Sequence, residues 1–348
     1  MAATILITGA TGLVGFRILL AALAAGHNVR YTVRNDPQTV SSNPAVKSLA
    51  PSDRLSAVVI PDFTAEGAFD PALDGVTHII HAGSPVPVPT YDPSPQVYEP
   101  TVKIASNLLA SALKTPSLQR VVITSSYVVN LGLPVPPTAA TYDITPAVPS
   151  AATRVPLPSP FPEVFSGVLE AYILAKMVEL DNSDKLIQTR SPHFTIAHVI
   201  PGYIFGRNEP ALDAGMMQAQ NSSNNFLMMG MVGGELPFPI HGGFVHLDDV
   251  ADIHMRVAFP PEPAEAADGI ADFGVATPVD YATIFDIVER AFPKAVAAGV
   301  FKRGKVPTLS VEYASNVREL LGRELKSFES AVVDVAGQYL EKLGMEKA

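Results

Sequence analysis

A tyrosine and a lysine four residues apart, Tyr172 and Lys176, stand in a run whose apolar spacing predicts a helix over about 166–187. At i and i+4 they share one helix face, so a phenol and an ammonium meet there. A phenol is a poor proton carrier at neutral pH unless a cation stabilises its phenolate, and Lys176 supplies that cation. Alone, such a pair is usually only a helix surface. Here it has company in Ser125 and Ser126, at the C-terminal end of a strand expected at 120–124. A hydroxyl there can bond a carbonyl oxygen and share developing alkoxide charge, and open α/β sheets bind ligands at the carboxyl ends of their strands. Ser126 is preferred for that role; the other hydroxyl is expected to be satisfied by local backbone.

A second constellation lies at the start of the chain. Thr8-Gly9-Ala10-Thr11-Gly12-Leu13-Val14-Gly15 falls directly between an expected strand at 4–8 and an expected helix at 16–25. Gly9 permits the tight turn, Gly12 lets backbone approach a pyrophosphate, and Gly15 lets helix and strand pack closely. The helix N-terminus then faces the anion, so Gly9, Thr11, Gly12, Leu13, Val14 and Gly15 are candidate cofactor contacts. The next strand, 29–33, is followed by Arg34 where NAD binders usually carry an acid for the ribose hydroxyls. A guanidinium fork suits a 2'-phosphate, which favours NADP(H), with Lys47 as a second contact. Asp36 nearby keeps NAD open, and an ordinary solvated Arg34 is the competing reading.

The elements that must position these groups alternate strand and helix: 56–60, 77–81, a helix at 97–113, 120–124, then the Tyr172 helix and a strand at 194–199. That order predicts an α/β protein with a Rossmann doubly wound parallel sheet. A proline-crowded stretch at 133–162 is expected to be a surface loop. After Pro201 the periodicity weakens, and Met216, Met217, Met228, Met229 and Met231 crowd a short region with Phe226, either as pocket lining or as gap-filling core. Amphipathic stretches at 281–292 and 327–343 suggest helices of a smaller C-terminal α/β substrate domain. We therefore expect a cofactor domain over 1–200, with 237–260 returning to it, and a substrate domain made of 201–236 and 261–348.

Composition narrows the partners. The 348 residues are 47% hydrophobic and 17% charged, enough to build a sizeable core. A net charge of −10 with no basic run excludes a nucleic-acid or anionic-membrane footprint. Zero cysteines exclude disulfides and thiolate chemistry. The apolar opening is broken by Gly9, Gly12, Gly15 and Arg17, unlike a signal sequence, and no run approaches the roughly 18 apolar residues of a membrane span. A cytoplasmic monomer or homodimer acting on a small molecule is expected. His78 and His81, three apart in a strand, would point to opposite faces, and no metal site is predicted.

The glycine turn, Ser126, Tyr172 with Lys176, and two later strings, Ile200-Pro201-Gly202-Tyr203-Ile204-Phe205-Gly206 and Phe244-Val245-His246-Leu247-Asp248-Asp249-Val250-Ala251, together resemble an extended short-chain dehydrogenase/reductase over residues 4–260. Thr32-Val33-Arg34 and the pair Asp62-Phe63 are similar to the dihydroflavonol and cinnamoyl-CoA reductase branch and to fungal and yeast carbonyl reductases. The resemblance implies that Asp62 and Phe63 flank the adenine and that Ala82, Gly83 and Ser84 pass beneath ribose and pyrophosphate. It also implies that Pro201 and Ile204 shape the nicotinamide end, and that Lys176 bonds the nicotinamide ribose. Tyr172 would donate a proton to a carbonyl oxygen held by Ser126 while NADPH gives a hydride to carbon. Many relatives have a relay asparagine where this chain has Thr101. His246 is expected to cap a helix start. The few charges after Gly206 suggest a bulky apolar or aromatic carbonyl substrate. Rival readings are an epimerase or dehydratase that recycles its NAD, which would need cations for a substrate diphosphate, and a non-catalytic dinucleotide sensor.

Overall fold

The computed structural model describes residues 2–49, 53–132, 148–260 and 270–345. Strand β1 (Thr4–Thr8), helix α1 (Leu13–Ala24) and strand β2 (Asn28–Val33) form the opening unit. Then come β3 (Leu55–Val59), β4 (His78–His81), α2 (Glu99–Ala112), β5 (Arg120–Thr124), the long helix α3 (Val168–Arg190) and β6 (Thr195–Pro201). With β9 (Ile270–Val275) they make one parallel sheet in the order β9-β6-β5-β4-β1-β2-β3. β1 and β4 sit side by side where the order reverses, the place at which such sheets open a ligand crevice.

Alternation along β1 shows how the sheet is held. Ile5 and Ile7 point into a core shared with α1 and with α5 (Leu247–Ala258), while Leu6 joins Ile79, Val121 and the α2 leucines Leu108 and Leu109 on the other face. Both faces are covered, so the strands are apolar almost throughout.

The smaller unit has its own core. β7 (Tyr203–Phe205) pairs parallel to β8 (Gly243–His246), and β10 (Thr277–Pro278) runs antiparallel to β8. Around them pack α4 (Asn224–Val232), α6 (Ile284–Ala291) and α7 (Phe328–Lys342). Met217, Met228 and Met231 are buried in that core, so these three fill gaps and do not line a pocket.

Two segments fall on the other side of the expected division. β9 lies within 261–348 but is a full member of the large sheet, and β8 lies within 237–260 but belongs to the small one. Ile270-Ala-Asp-Phe-Gly-Val hides its strand nature because half-buried Asp272 is accommodated only by pairing with His198 and Arg154, and Gly274 is closely approached by Tyr313. Of the proline-rich stretch, 133–147 lies outside the described residues. Over 148–162 the chain is irregular apart from a bridge between Ser150 and Ala314.

Candidate active site

α3 brings its first turns to the carboxyl edge of the large sheet. Tyr172 is half-buried, whereas Lys176 one turn on is 2% exposed. The Lys176 ammonium donates to the carbonyl of Thr124, 3.1 Å away, and to Glu179 Oε2 at 2.6 Å. Thr124 is the last residue of β5, so the lysine is fastened directly below Ser125 and Ser126. The Thr124 side chain is itself held, 2.8 Å from His254 Nε2, and burial keeps His254 down to about 4 and therefore neutral.

The two serines differ. Ser126 is half-exposed, while Ser125 is buried and its hydroxyl has no partner, contrary to the expected local backbone bond. The Ser125 backbone N–H donates to Val199, tying the β5 tip to β6. Beside Tyr172 lies an aromatic wall: Tyr203 meets Phe226 edge-on at 5.4 Å and Tyr127 at 6.2 Å. Burial, reinforced by neighbouring phenols that include Tyr172, pushes Tyr127 and Tyr203 well above the ordinary tyrosine value, so both stay protonated.

The glycine turn is shaped for an anion. Gly9 has φ +72, and a Cβ on it would stand 2.6 Å from the Ala82 carbonyl oxygen; one on Gly15 would stand 2.3 Å from that of Gly9. A Cβ on Gly12 would meet nothing nearer than 3.4 Å, so that side of the turn faces open space. Thr11 and Gly12 are exposed, Leu13 is buried and Val14 half-buried. The first turn of α1 carries no acid and no side-chain cap, which leaves its N–H groups for a phosphate. The residues present fit a dinucleotide diphosphate.

The flanking contacts follow the strand tips. Ala82 donates to the Thr8 carbonyl at 3.3 Å, and Gly83 lies against Gly9, with Ser84 next in line and half-buried. Arg34 is exposed with no partner among the described residues, whereas Asp36 is occupied, accepting from Gln38 N–H at 2.8 Å. Lys47 is exposed on the short helix Pro44–Leu49. Ile60 N–H donates to Val33, which sets the 60–63 segment beside Arg34. There Asp62 accepts from Thr64, and Phe63 stacks on Phe69 at 5.6 Å. Pro201 ends β6 and accepts from Tyr127 N–H; Ile204 packs against the large-sheet core.

The profile of the NAD dependent epimerase/dehydratase family matches residues 5–152. A ketoreductase of Cercospora nicotianae is 31% identical over 97% of this chain and 95% of its own. An NAD-dependent epimerase/dehydratase of Alternaria alternata is 33% identical over 92% and 93%. The chain belongs to the NAD dependent epimerase/dehydratase family. Its fold matches that of a yeast methylglyoxal/isovaleraldehyde reductase complexed with NADPH, with a TM-score of 0.77 and 21% identity over 99% of this chain and 100% of that one. It is thus an enzyme of an NAD(P)-dependent reductase and epimerase/dehydratase family, and among the described residues no helix is long and apolar enough to cross a membrane.

Within this family frame, Thr101 is not poised as a relay, since its hydroxyl donates back to the Val97 carbonyl at 2.7 Å. His246 is the N-cap of α5, accepting from Asp248 N–H. Asp334 lies near the other ring nitrogen, but Asp248 is taken by Arg17 and Lys326, so that cluster is already charge-balanced. His78 and His81 do point apart, His78 to Phe259 and His81 to Thr8. Sequence reasoning missed Glu179, although its i+3 spacing from Lys176 was a readable signal.

Proposed function

We propose that the protein is an NADPH-dependent carbonyl reductase that converts a bulky apolar or aromatic ketone or aldehyde to the alcohol through Ser126, Tyr172 and Lys176. Lys176 carries this reading: a buried ammonium fixed at the β5 tip lies one helical turn from the half-buried Tyr172 phenol. NADPH bound along the glycine turn would supply the hydride. Ser126 donates to the carbonyl oxygen, and Tyr172 gives that oxygen its proton as alkoxide charge develops. Lys176 stabilises the phenolate left behind. Tyr203 and Phe226 keep water from the carbonyl and favour an apolar substrate.

The Arg34 guanidinium, without a partner among the described residues, and the engaged carboxylate of Asp36 support NADPH over NADH. The ketoreductase relatives support a carbonyl substrate. Arg207, the one Lys or Arg between Pro201 and His246, is held by Glu209 and Glu341, which disfavours a substrate diphosphate there and with it the epimerase reading.

Purified protein mixed with NADPH and a panel of aryl ketones and aldehydes should consume the reduced nicotinamide steadily. Cofactor that copurifies and never turns over would overturn the reductase in favour of an epimerase. Arg34→Ala should raise KM for NADPH about tenfold and leave NADH nearly unchanged; equal changes would remove the 2'-phosphate contact.

A further inference from the structure

We propose that Glu179 is a positioning residue for Lys176, and that His81 and Thr8 extend it into a chain from the glycine turn to the Tyr172 helix. An ammonium has three N–H donors. One goes to Glu179 Oε2 and one to the Thr124 carbonyl, so a single N–H remains to face the crevice. Glu179 therefore decides which way the lysine presents its charge.

The far side of Glu179 is unfinished. Glu179 Oε1 and His81 Nε2 stand 3.7 Å apart, both buried and both without a hydrogen-bond partner. His81 Nδ1 lies 2.7 Å from Thr8 Oγ1. Burial, then the nearby Lys176 charge, holds His81 down to about 3, so the ring is neutral and the 3.7 Å contact is not an ion pair. A neutral imidazole has one donor and one acceptor; with Nδ1 accepting from the Thr8 hydroxyl, Nε2–H faces the orphan carboxylate oxygen. A movement of about 0.8 Å would complete that bond. Thr8 immediately precedes Gly9, so the chain ties the phosphate turn to the proton-carrying end of the site.

The charge on Glu179 has a second effect. Tyr172 lies one turn back on the same helix, His81 faces the ion pair from β4, and His254 is bonded to the side chain of Thr124, whose carbonyl the ammonium meets. Glu179 offsets the lysine charge, so that its removal would leave an uncompensated buried ammonium one turn from the Tyr172 phenol.

This inference rests on the reductase reading, and the test separates the two. The kcat for ketone reduction at saturating NADPH is measured against pH for the wild type, Glu179→Gln, Glu179→Asp, His81→Asn and Tyr172→Phe. Glu179→Gln should move the alkaline limb down by about one pH unit. Its kcat should fall about tenfold while KM for NADPH changes little. Glu179→Asp should restore the limb, and His81→Asn, which keeps the carboxylate charge but removes the N–H facing Glu179 Oε1, should move it the opposite way, upward, and by less. An unmoved limb in Glu179→Gln and His81→Asn, with Tyr172→Phe inactive, overturns the role of Glu179 alone; an active Tyr172→Phe overturns the reductase assignment itself. Should Glu179→Gln not fold, the His81→Asn profile decides.

Discussion

The two ends of α3 hold buried histidine networks made from similar residues, and they differ in whether the network is complete. In the C-terminal half, Ser183 Oγ lies 2.8 Å from His198 Nε2, and His198 Nδ1 lies 2.7 Å from Asp272 Oδ1. The other Asp272 oxygen takes Arg154. Serine, histidine and aspartate in that order are the hydrolytic arrangement. Yet Ser183 and His198 are wholly buried, and the serine hydroxyl is also bonded to the Leu180 carbonyl. In the N-terminal half, the network of Lys176, Glu179 and His81 opens towards the crevice through half-exposed Tyr172 and keeps two unpartnered atoms. Residue types alone therefore do not mark a site; access and unmet hydrogen bonding do.

The largest effect that would sharpen this contrast is on turnover. Tyr172→Phe should lower kcat about 10³-fold, equivalent to about 4 kcal/mol in the barrier, with the melting temperature unchanged. A variant that kept its rate would erase the distinction between the two halves.

The closed network should answer in the opposite currency. Burial alone would raise the Asp272 carboxyl, but His198 and Arg154 outweigh it and hold it below the usual carboxylate range, so all three depend on one another. Asp272→Ala should cost about 2–3 kcal/mol in urea unfolding, because it leaves a buried imidazole N–H unpaired. The kcat per folded molecule should stay at the wild-type value; a loss of rate without a loss of stability would break the comparison.

The smallest effect concerns pH. The folded His81 value, about 3, lies below the unfolded 6.5, so below 6.5 the unfolded chain takes up a proton that the native state refuses. The stability contribution of His81 is complete above 6.5 and is lost as pH falls towards 3. At pH 5.5 that loss is about 1.4 kcal/mol. His81→Asn should flatten the pH dependence of unfolding between 6.5 and 5.5 by about 1 kcal/mol, and an unaltered slope would show His81 not to be buried neutral.

Local structure was readable from the chain alone. The glycines at 9, 12 and 15, the strands around them and the i, i+4 pair on α3 depend on backbone sterics and on periods of two and 3.6 residues, which neighbours in sequence decide. Ser126 could be preferred over Ser125, but that one hydroxyl is half-exposed and the other sealed follows from how the β5 tip meets β6.

What the sequence by itself determined is therefore the strand, glycine turn and helix that open the chain, and the tyrosine and lysine on one face of α3. Only the tertiary structure decided that Ile270–Val275 closes the large sheet, that an aspartate is accommodated in that strand by His198 and Arg154, and that His81 meets Glu179 behind Lys176. These are pairings between residues far apart in the chain. A buried charge or a strand with an aspartate in it is tolerated only when a distant partner arrives to satisfy it, and no local pattern records who that partner is.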